Sequence, residues 1–516
     1  MPVDSNTLPG PEVDAHPATL DRPAMIHQTA PVVDGLLRIT IDIDFPFEEL
    51  KKISDRVVRR YDKHLLPIIF VAYLVFWLDR SNIALARHNG LEEDLGLRGS
   101  QFNQSLAAFF AMYILCNIPA NLLLRRIGGR RFLSFLIFLW GLFTALSGLA
   151  TDFSTLCVVR AAVGAAEAGF LGSALLWLGF FYTNEEIVAR VGILLSSAPL
   201  AGALGGLMAG GFSRISVPNF RGWPWIFVIE GAITMVIGCI AFYVIPDTPM
   251  DARFLTTTEK LASQHRMVVL DAQSFSRRLG ESMRNGSDVD GDKSVGSESP
   301  PLPSQEPNTR NESYHFVNSN ALDRLQPTSW RRAILHPITL ILTVGCFFTI
   351  ESIYAYNLFV PTLLHSMGYT GVSIALMSVP PSVTAFIYTI VVTQYSQRRG
   401  SVARSLTLSG LVSATGYILL LIGSLAGGTD ENGAPVLIRS VQYVGTFFAS
   451  SGVSAATPLA LSWTCVNAHP HFVRAIALGF MISVGNLATF LASFVYIKDK
   501  GPRYVVSLAS EGSNTR

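Results

Sequence analysis

Charged residues inside long apolar runs are where chemistry is to be sought first, because each is costly in a low-dielectric surrounding unless it is paired or faces a wet cavity. Asp79 and Arg80, with Asn82 close by, fall within LLPIIFVAYLVFWLDRSNIALA, and Arg160 and Glu167 within VVRAAVGAAEAGF. Seven residues apart on a helix, Arg160 and Glu167 lie on nearly the same face two turns apart, and Gly164 between them is expected to keep that face open. Glu230 sits near one end of a later apolar run, and Glu351, Tyr354, Tyr356 and Asn357 share another. An arginine offers a planar fork for a carboxylate, and a carboxyl in a low-dielectric cavity can titrate near neutral pH and couple proton movement to a ligand. The plainer alternative is that Asp79–Arg80 and Arg160–Glu167 are structural ion pairs that hold helices together.

The elements that must position these residues follow from composition. Half of the 516 residues are hydrophobic, only 15% are charged, and the mean hydropathy is +0.39. That is too little charge to cover a soluble surface, so the apolar excess must face lipid. Runs long enough to span a bilayer lie near 65–86, 104–124, 132–150, 154–182, 187–212 and 224–246, and then near 336–362, 372–395, 403–425, 437–465 and 473–497. The expected fold class is therefore an all-α polytopic membrane protein with six helices, then five. Its domains are a polar N-terminal tail (1–60), a six-helix bundle (61–246), a largely disordered linker rich in Ser, Asn, Asp and Pro (247–332), a five-helix bundle (333–497) and a short polar tail (498–516). Alternate short loops carry Arg125, Arg126, Arg130 and Arg131, then Arg190, then Arg398, Arg399 and Arg404, then Arg474, whereas the loops between them hold fewer basic residues, Arg214 and Arg221 among them. The positive-inside rule places the arginine-rich set, the N-terminus and the linker in the cytoplasm. Residues 1–60 contain no signal-peptide core, so the first span is expected to act as its own insertion signal.

Other features exclude more than they assign. The five cysteines make no CxxC or metal-ligand spacing and read as core-packing residues. Ala198, Gly202, Gly206 and Gly210 recur every fourth residue, a close-packing or sliding face for a neighbouring helix. Asn285 and Asn311 stand in glycosylation sequons on the cytoplasmic linker. No HExxH, GxSxG or phosphate loop occurs in a suitable context, so an enzyme is not expected.

Six helices, a long cytoplasmic linker and further helices resemble the plan of the major facilitator superfamily, in which two six-helix halves rock around a midplane site. Against that plan the second half reads as one helix short, with no twelfth span after the eleventh. RRYDKHLLPIIFVAYLVFWLDRSNIALAR resembles the start of the anion:cation symporter family. VVRAAVGAAEAGF resembles its fourth-helix signature, GWPWIFVIEGAITMVIGCIAFYVIPDTP its sixth helix, and AIALGFMISVGNLATFLASFVY with KDKGPRY its eleventh helix and following loop. The fungal branch, similar to allantoate and nicotinate permeases, is the nearest fit.

That resemblance implies proton-coupled uptake of a small organic anion, by a monomer of the plasma membrane, driven by the proton gradient with no cofactor, metal or nucleic acid. It makes Asp79 and Glu167 proton-coupling residues. Arg80 and Arg160 become substrate-binding residues, with Tyr354, Asn357 and Asn486 lining the cavity. Arg126, Gly128, Arg130 and Arg131 become a cytoplasmic gate, although NLLLRRIGGRRF carries Asn121 and Arg125 where the superfamily usually has Gly and Asp. A non-transporting nutrient receptor of the same fold, and an inactive product lacking the last helix, are the alternatives.

Overall fold

The structure, a computed structural model, describes residues 47–212, 222–264, 266, 331, 334–369, 372–426, 436–468 and 471–495. The first 46 residues, most of the linker with Asn285 and Asn311, the loop holding Arg214 and Arg221, and the tail from 498 lie outside them. Among the described residues there is no strand, and eleven helices are long and apolar enough to cross a membrane. At 1.5 Å per residue, the 18 to 33 residues of each span are enough to cross a hydrocarbon layer of about 30 Å.

The first half comprises α1 (Phe47–His64), α2 (Leu66–Ala86), α3 (Gln101–Ile127), α4 (Gly129–Ser147), α5 (Phe153–Ala168), α6 (Phe170–Leu178), α7 (Ile187–Phe212) and α8 (Gly222–Val244). The second comprises α9 (Pro337–Ser366), α10 (Val372–Arg399), α11 (Val402–Ala426), α12 (Val436–Asn467) and α13 (His471–Val495). Helix α5 starts on a side-chain cap, in which Asp152 accepts from the Thr155 amide. Hydrogen bonds from Thr155 hold the Asp152 carboxyl below its usual range.

Two boundaries differ from the sequence reading. The expected tail to residue 60 already contains α1, whose Val57, Val58 and Tyr61 recur on one face and are buried. The linker expected from 247 keeps its first part folded: a helix at 257–264 lies against α1 through Arg60–Glu259 (2.7 Å) and Tyr61–Ser263 (2.7 Å). Arg266 is wholly buried there, donating to Glu186 (3.1 Å), Ser54 (3.0 Å) and the Phe181 carbonyl (2.6 Å). Composition hid this, because the anchoring residues are scattered polar side chains without a long apolar period.

Gly164 is also corrected. Rather than keeping a face open, it lets α5 cross α3 closely: a Cβ there would stand 2.2 Å from the Phe109 carbonyl oxygen. The small-residue ridge of α7 meets the other half, Gly206 lying against Ala375 and Ser378 of α10. Of the cysteines, Cys346 and Cys465 are buried as expected of packing residues, whereas Cys239 is exposed.

Candidate functional site

Neighbouring residues on a helix point about 100° apart, and that separates Asp79 from Arg80. Arg80 turns toward the seam between the halves; Asp79 turns into the first half, where its Oδ2 accepts from the Thr144 hydroxyl of α4 (2.8 Å). Neither ion pair read from the sequence forms. Arg80 Nε instead donates to Glu167 of α5 (3.2 Å), with the Arg80 side chain 9% exposed and Glu167 fully buried.

The same guanidinium reaches the second half. Its Nη1 donates to the Tyr354 hydroxyl on α9 (2.8 Å) and to Asn486 Oδ1 on α13 (3.5 Å), while Asn486 Nδ2 donates to the Ile482 carbonyl. Aromatic rings hold the cation from its sides, with Phe76 at 4.2 Å and Tyr113 at 4.7 Å from the guanidinium carbon. Tyr73, Phe76, Trp77 and Arg80 recur at helical spacing along α2 and line one wall of a small cavity; Tyr354, Cys346, Thr457 and Asn486 line the other. Its volume is about 40 Å³, room for a few waters rather than for a metabolite. Three lining polar atoms are buried without a hydrogen-bond partner: Arg80 Nη2, Trp77 Nε1 and Thr457 Oγ1. Two of these only donate and the third can.

Arg160 is placed elsewhere. It does not line the cavity but lies deep in the first half, 3% exposed, with its guanidinium over the Phe227 ring at 4.9 Å. Two turns of rise separate it from Glu167, and no carboxylate approaches it within ion-pair distance among the described residues. Asn357 is exposed and also stands outside the cavity lining. Glu230, which the sequence reading noted without giving it a role, is buried with Oε2 accepting from Asn82 Nδ2.

The turn between α3 and α4 is anchored within its own half. Gly128 has φ +93°, a left-handed conformation that favours glycine, and a Cβ there would meet Asp247 Oδ1 at 2.5 Å. That carboxylate accepts from the Arg130 amide (2.8 Å), and Arg130 Nε donates to the Phe242 carbonyl (2.7 Å). Arg126 and Arg131 are exposed. Asp247, arriving from the end of α8, thus supplies a carboxylate beside a turn that carries Arg125 where an Asp is usual.

Contacts that do join the halves at this end come from residues the sequence did not single out for it. Arg474 Nη2 donates to Asn184 (3.2 Å), the Arg190 Nη1 and Ala189 amide both donate to Gln397 (3.3 Å each), and Asn117 Nδ2 donates to the Gly479 carbonyl (3.3 Å) and Ser483 (3.2 Å). Arg190 is held in turn by Asp62 (2.8 Å), which also accepts from Tyr182 (2.9 Å). Burial and the adjacent Asp62 carboxylate push the Tyr182 phenol well above its usual range, so it remains a donor. The one advance signal was Asn117 with Asn121, two amides four residues apart on an apolar helix.

Two helical halves with a charged site at their seam make up the architecture of a secondary transporter. The Major Facilitator Superfamily profile matches residues 69–493, and the chain belongs to that family. It is 28% identical to an uncharacterized transporter of Schizosaccharomyces pombe over 86% of this chain and 78% of that protein. It is 27% identical to the major facilitator-type transporter hxnP of Emericella nidulans, over 88% and 81%. The fold is similar to that of the proton:xylose symporter XylE, with a TM-score of 0.58 at 14% identity, covering 85% of this chain and 88% of that one. These relatives are transporters, not enzymes.

Proposed function

We propose that this chain imports small organic anions together with protons, by alternating access around Arg80, as an anion:cation symporter near the fungal allantoate and nicotinate permeases. The observation that carries the reading is the cavity's chemistry: Arg80 Nη2, Trp77 Nε1 and Thr457 Oγ1 offer donors with nothing to meet, which is what a carboxylate requires. Tyr354 and Asn486 then hold the substrate from the second half, with Asn357 further from the cavity. Arg160 acts on the field around the carboxyls rather than on the substrate directly.

Coupling follows from the Arg80–Glu167 pair. Protonating Glu167 removes the charge that holds Arg80 Nε and frees the guanidinium to turn its fork to an incoming carboxylate. Returning the proton restores the pair and displaces the anion, with Asp79 as the second proton-coupling carboxyl. Loop arginines make the end joined by Arg474, Arg190 and Gln397 the cytoplasmic one. The protein then works in the plasma membrane as a monomer with its N-terminus inside, driven by the proton gradient without a cofactor. Arg126, Gly128, Arg130 and Arg131 brace the cytoplasmic gate from within the first half. The test is uptake of a panel of labelled small carboxylates by cells lacking their own permeases, with and without a protonophore. Accumulation of at least one carboxylate, abolished by the protonophore, is expected; uptake of neutral solutes only, or indifference to the protonophore, contradicts the reading.

A further inference from the structure

Behind Arg80, away from the cavity, the first half buries more carboxyls than cations. Arg80 and Arg160 are guanidiniums that stay charged; facing them are Asp79, Glu167 and Glu230, all nine-tenths or more buried. With every group ionised, this set holds one negative charge more than positive.

The placement decides where that excess falls. Glu167 has Arg80 at 3.2 Å. Asp79 has the Thr144 hydroxyl. Glu230 has only the neutral amide of Asn82 as a hydrogen-bond partner. Of the charged groups that face it, Arg160 lies over Phe227 one turn earlier on α8 but makes no ion pair with Glu230; α4 contributes Thr144, its charges Arg130 and Arg131 standing at its other end, and Arg87 in the turn after α2 is engaged with Glu92 (2.7 Å). Glu230 Oε1, Asp79 Oδ1, Glu167 Oε1, and Arg160 Nε and Nη2 are all buried without a hydrogen-bond partner. Arg160, 3% exposed, is therefore an unpartnered donor beside acceptors it does not touch.

We propose that Glu230 is a third proton-binding carboxyl of this core, holding a resident proton while Arg80 and Arg160 keep their charges. A buried carboxyl in excess of the cations around it is relieved by holding a proton, and Glu230, bonded to neither a hydroxyl nor a guanidinium, is the one of the three with the least to stabilise its anion. The proton added or lost in a transport cycle then exchanges over three carboxyls, not two. The inference rests on the proton-coupled reading only in giving that proton a use; its presence is a property of the resting protein.

Infrared spectra of the purified full-length protein in lipid, recorded against pH without any substrate, test it. A protonated-carboxyl C=O band is expected in the wild type at neutral pH, lost in Glu230→Gln and retained in Glu167→Gln. A Glu230→Gln spectrum that superimposes on the wild type from acid to alkaline pH overturns the proposal. Should that variant not fold, Asn82→Ala removes the amide partner and keeps the carboxyl; the band is then expected to shift, and an unmoved band overturns the proposal equally. Because no substrate is present, a failure of proton-coupled uptake would show in the transport assay alone and leave this readout intact.

Discussion

Arg80 and Glu167 lie 87 positions apart in the chain and meet with 3.2 Å between Nε and Oε2, while the opposite side of the same guanidinium holds Tyr354 and Asn486 of the other half. One planar cation thus ties a titratable carboxyl in the first half to two neutral polar groups in the second. Anything that changes the charge of Glu167 alters how firmly the halves are joined.

Replacing Arg80 by lysine should be nearly as damaging as replacing it by alanine, since an ammonium cannot meet Glu167, Tyr354 and Asn486 from one planar fork. Two charge-assisted bonds lost at about 1.5–3 kcal/mol each put the fall in uptake on the order of 100-fold or more. Initial rates of carboxylate uptake, corrected for surface expression, check this.

Tyr354→Phe removes the hydroxyl that accepts from Arg80 and keeps the ring, which packs near Trp77 (6.1 Å) and Phe110 (6.0 Å). The closed arrangement should loosen without unfolding. Cys346 lines the cavity and is wholly buried, so in a background lacking the other four cysteines it reports on this directly. Its reaction with a small polar thiol reagent should be several-fold faster in Tyr354→Phe; an unchanged rate would mean that the bond does not hold the halves together.

Gly164→Ala forces a methyl group toward the Phe109 carbonyl, where 2.2 Å is available. Overpacking of this kind costs about 1–3 kcal/mol. The midpoint of thermal unfolding in detergent should fall by several degrees, while Gly345→Ala, which meets nothing within 4 Å, should leave it in place.

Arg266→Ala strips Glu186 of its buried partner and removes the bond to Ser54 that helps Arg60–Glu259 and Tyr61–Ser263 hold the 257–264 helix to α1. Trypsin should then cut at Arg253 or Lys260 well before the wild type is cleaved there. Equal cleavage rates would show that the segment is held by other contacts.

The sequence made the spans legible because lipid demands about 20 apolar residues in a row, and each of the eleven stretches named from it holds a membrane-length helical span, the fourth as α5 followed by α6. It also singled out Asp79, Arg80, Arg160 and Glu167, since a charge in such a stretch stands out whatever its partner. What it could not supply was the partner. Adjacency suggested Asp79 with Arg80, but helical geometry sends them to different neighbours; a shared face suggested Arg160 with Glu167, but two turns of rise keep them apart. Thr144 carries no signal at all in an apolar helix until Asp79 is seen beside it. The same blindness applied to the end that carries the turn between α3 and α4, where a conspicuous cluster of arginines drew attention and Arg474, Asn184 and Gln397 make contacts between the halves.

The central claim is that substrate and proton move together through the Arg80–Glu167 pair. It is tested most directly by reconstituting the wild type and Glu167→Gln in liposomes containing a pH-sensitive dye, then adding outside a carboxylate taken from the uptake screen. The account predicts acidification of the lumen in step with uptake for the wild type; in Glu167→Gln it predicts exchange of labelled for unlabelled substrate without acidification. Substrate entry into wild-type liposomes with no change in lumenal pH, or acidification that persists in Glu167→Gln, would contradict it.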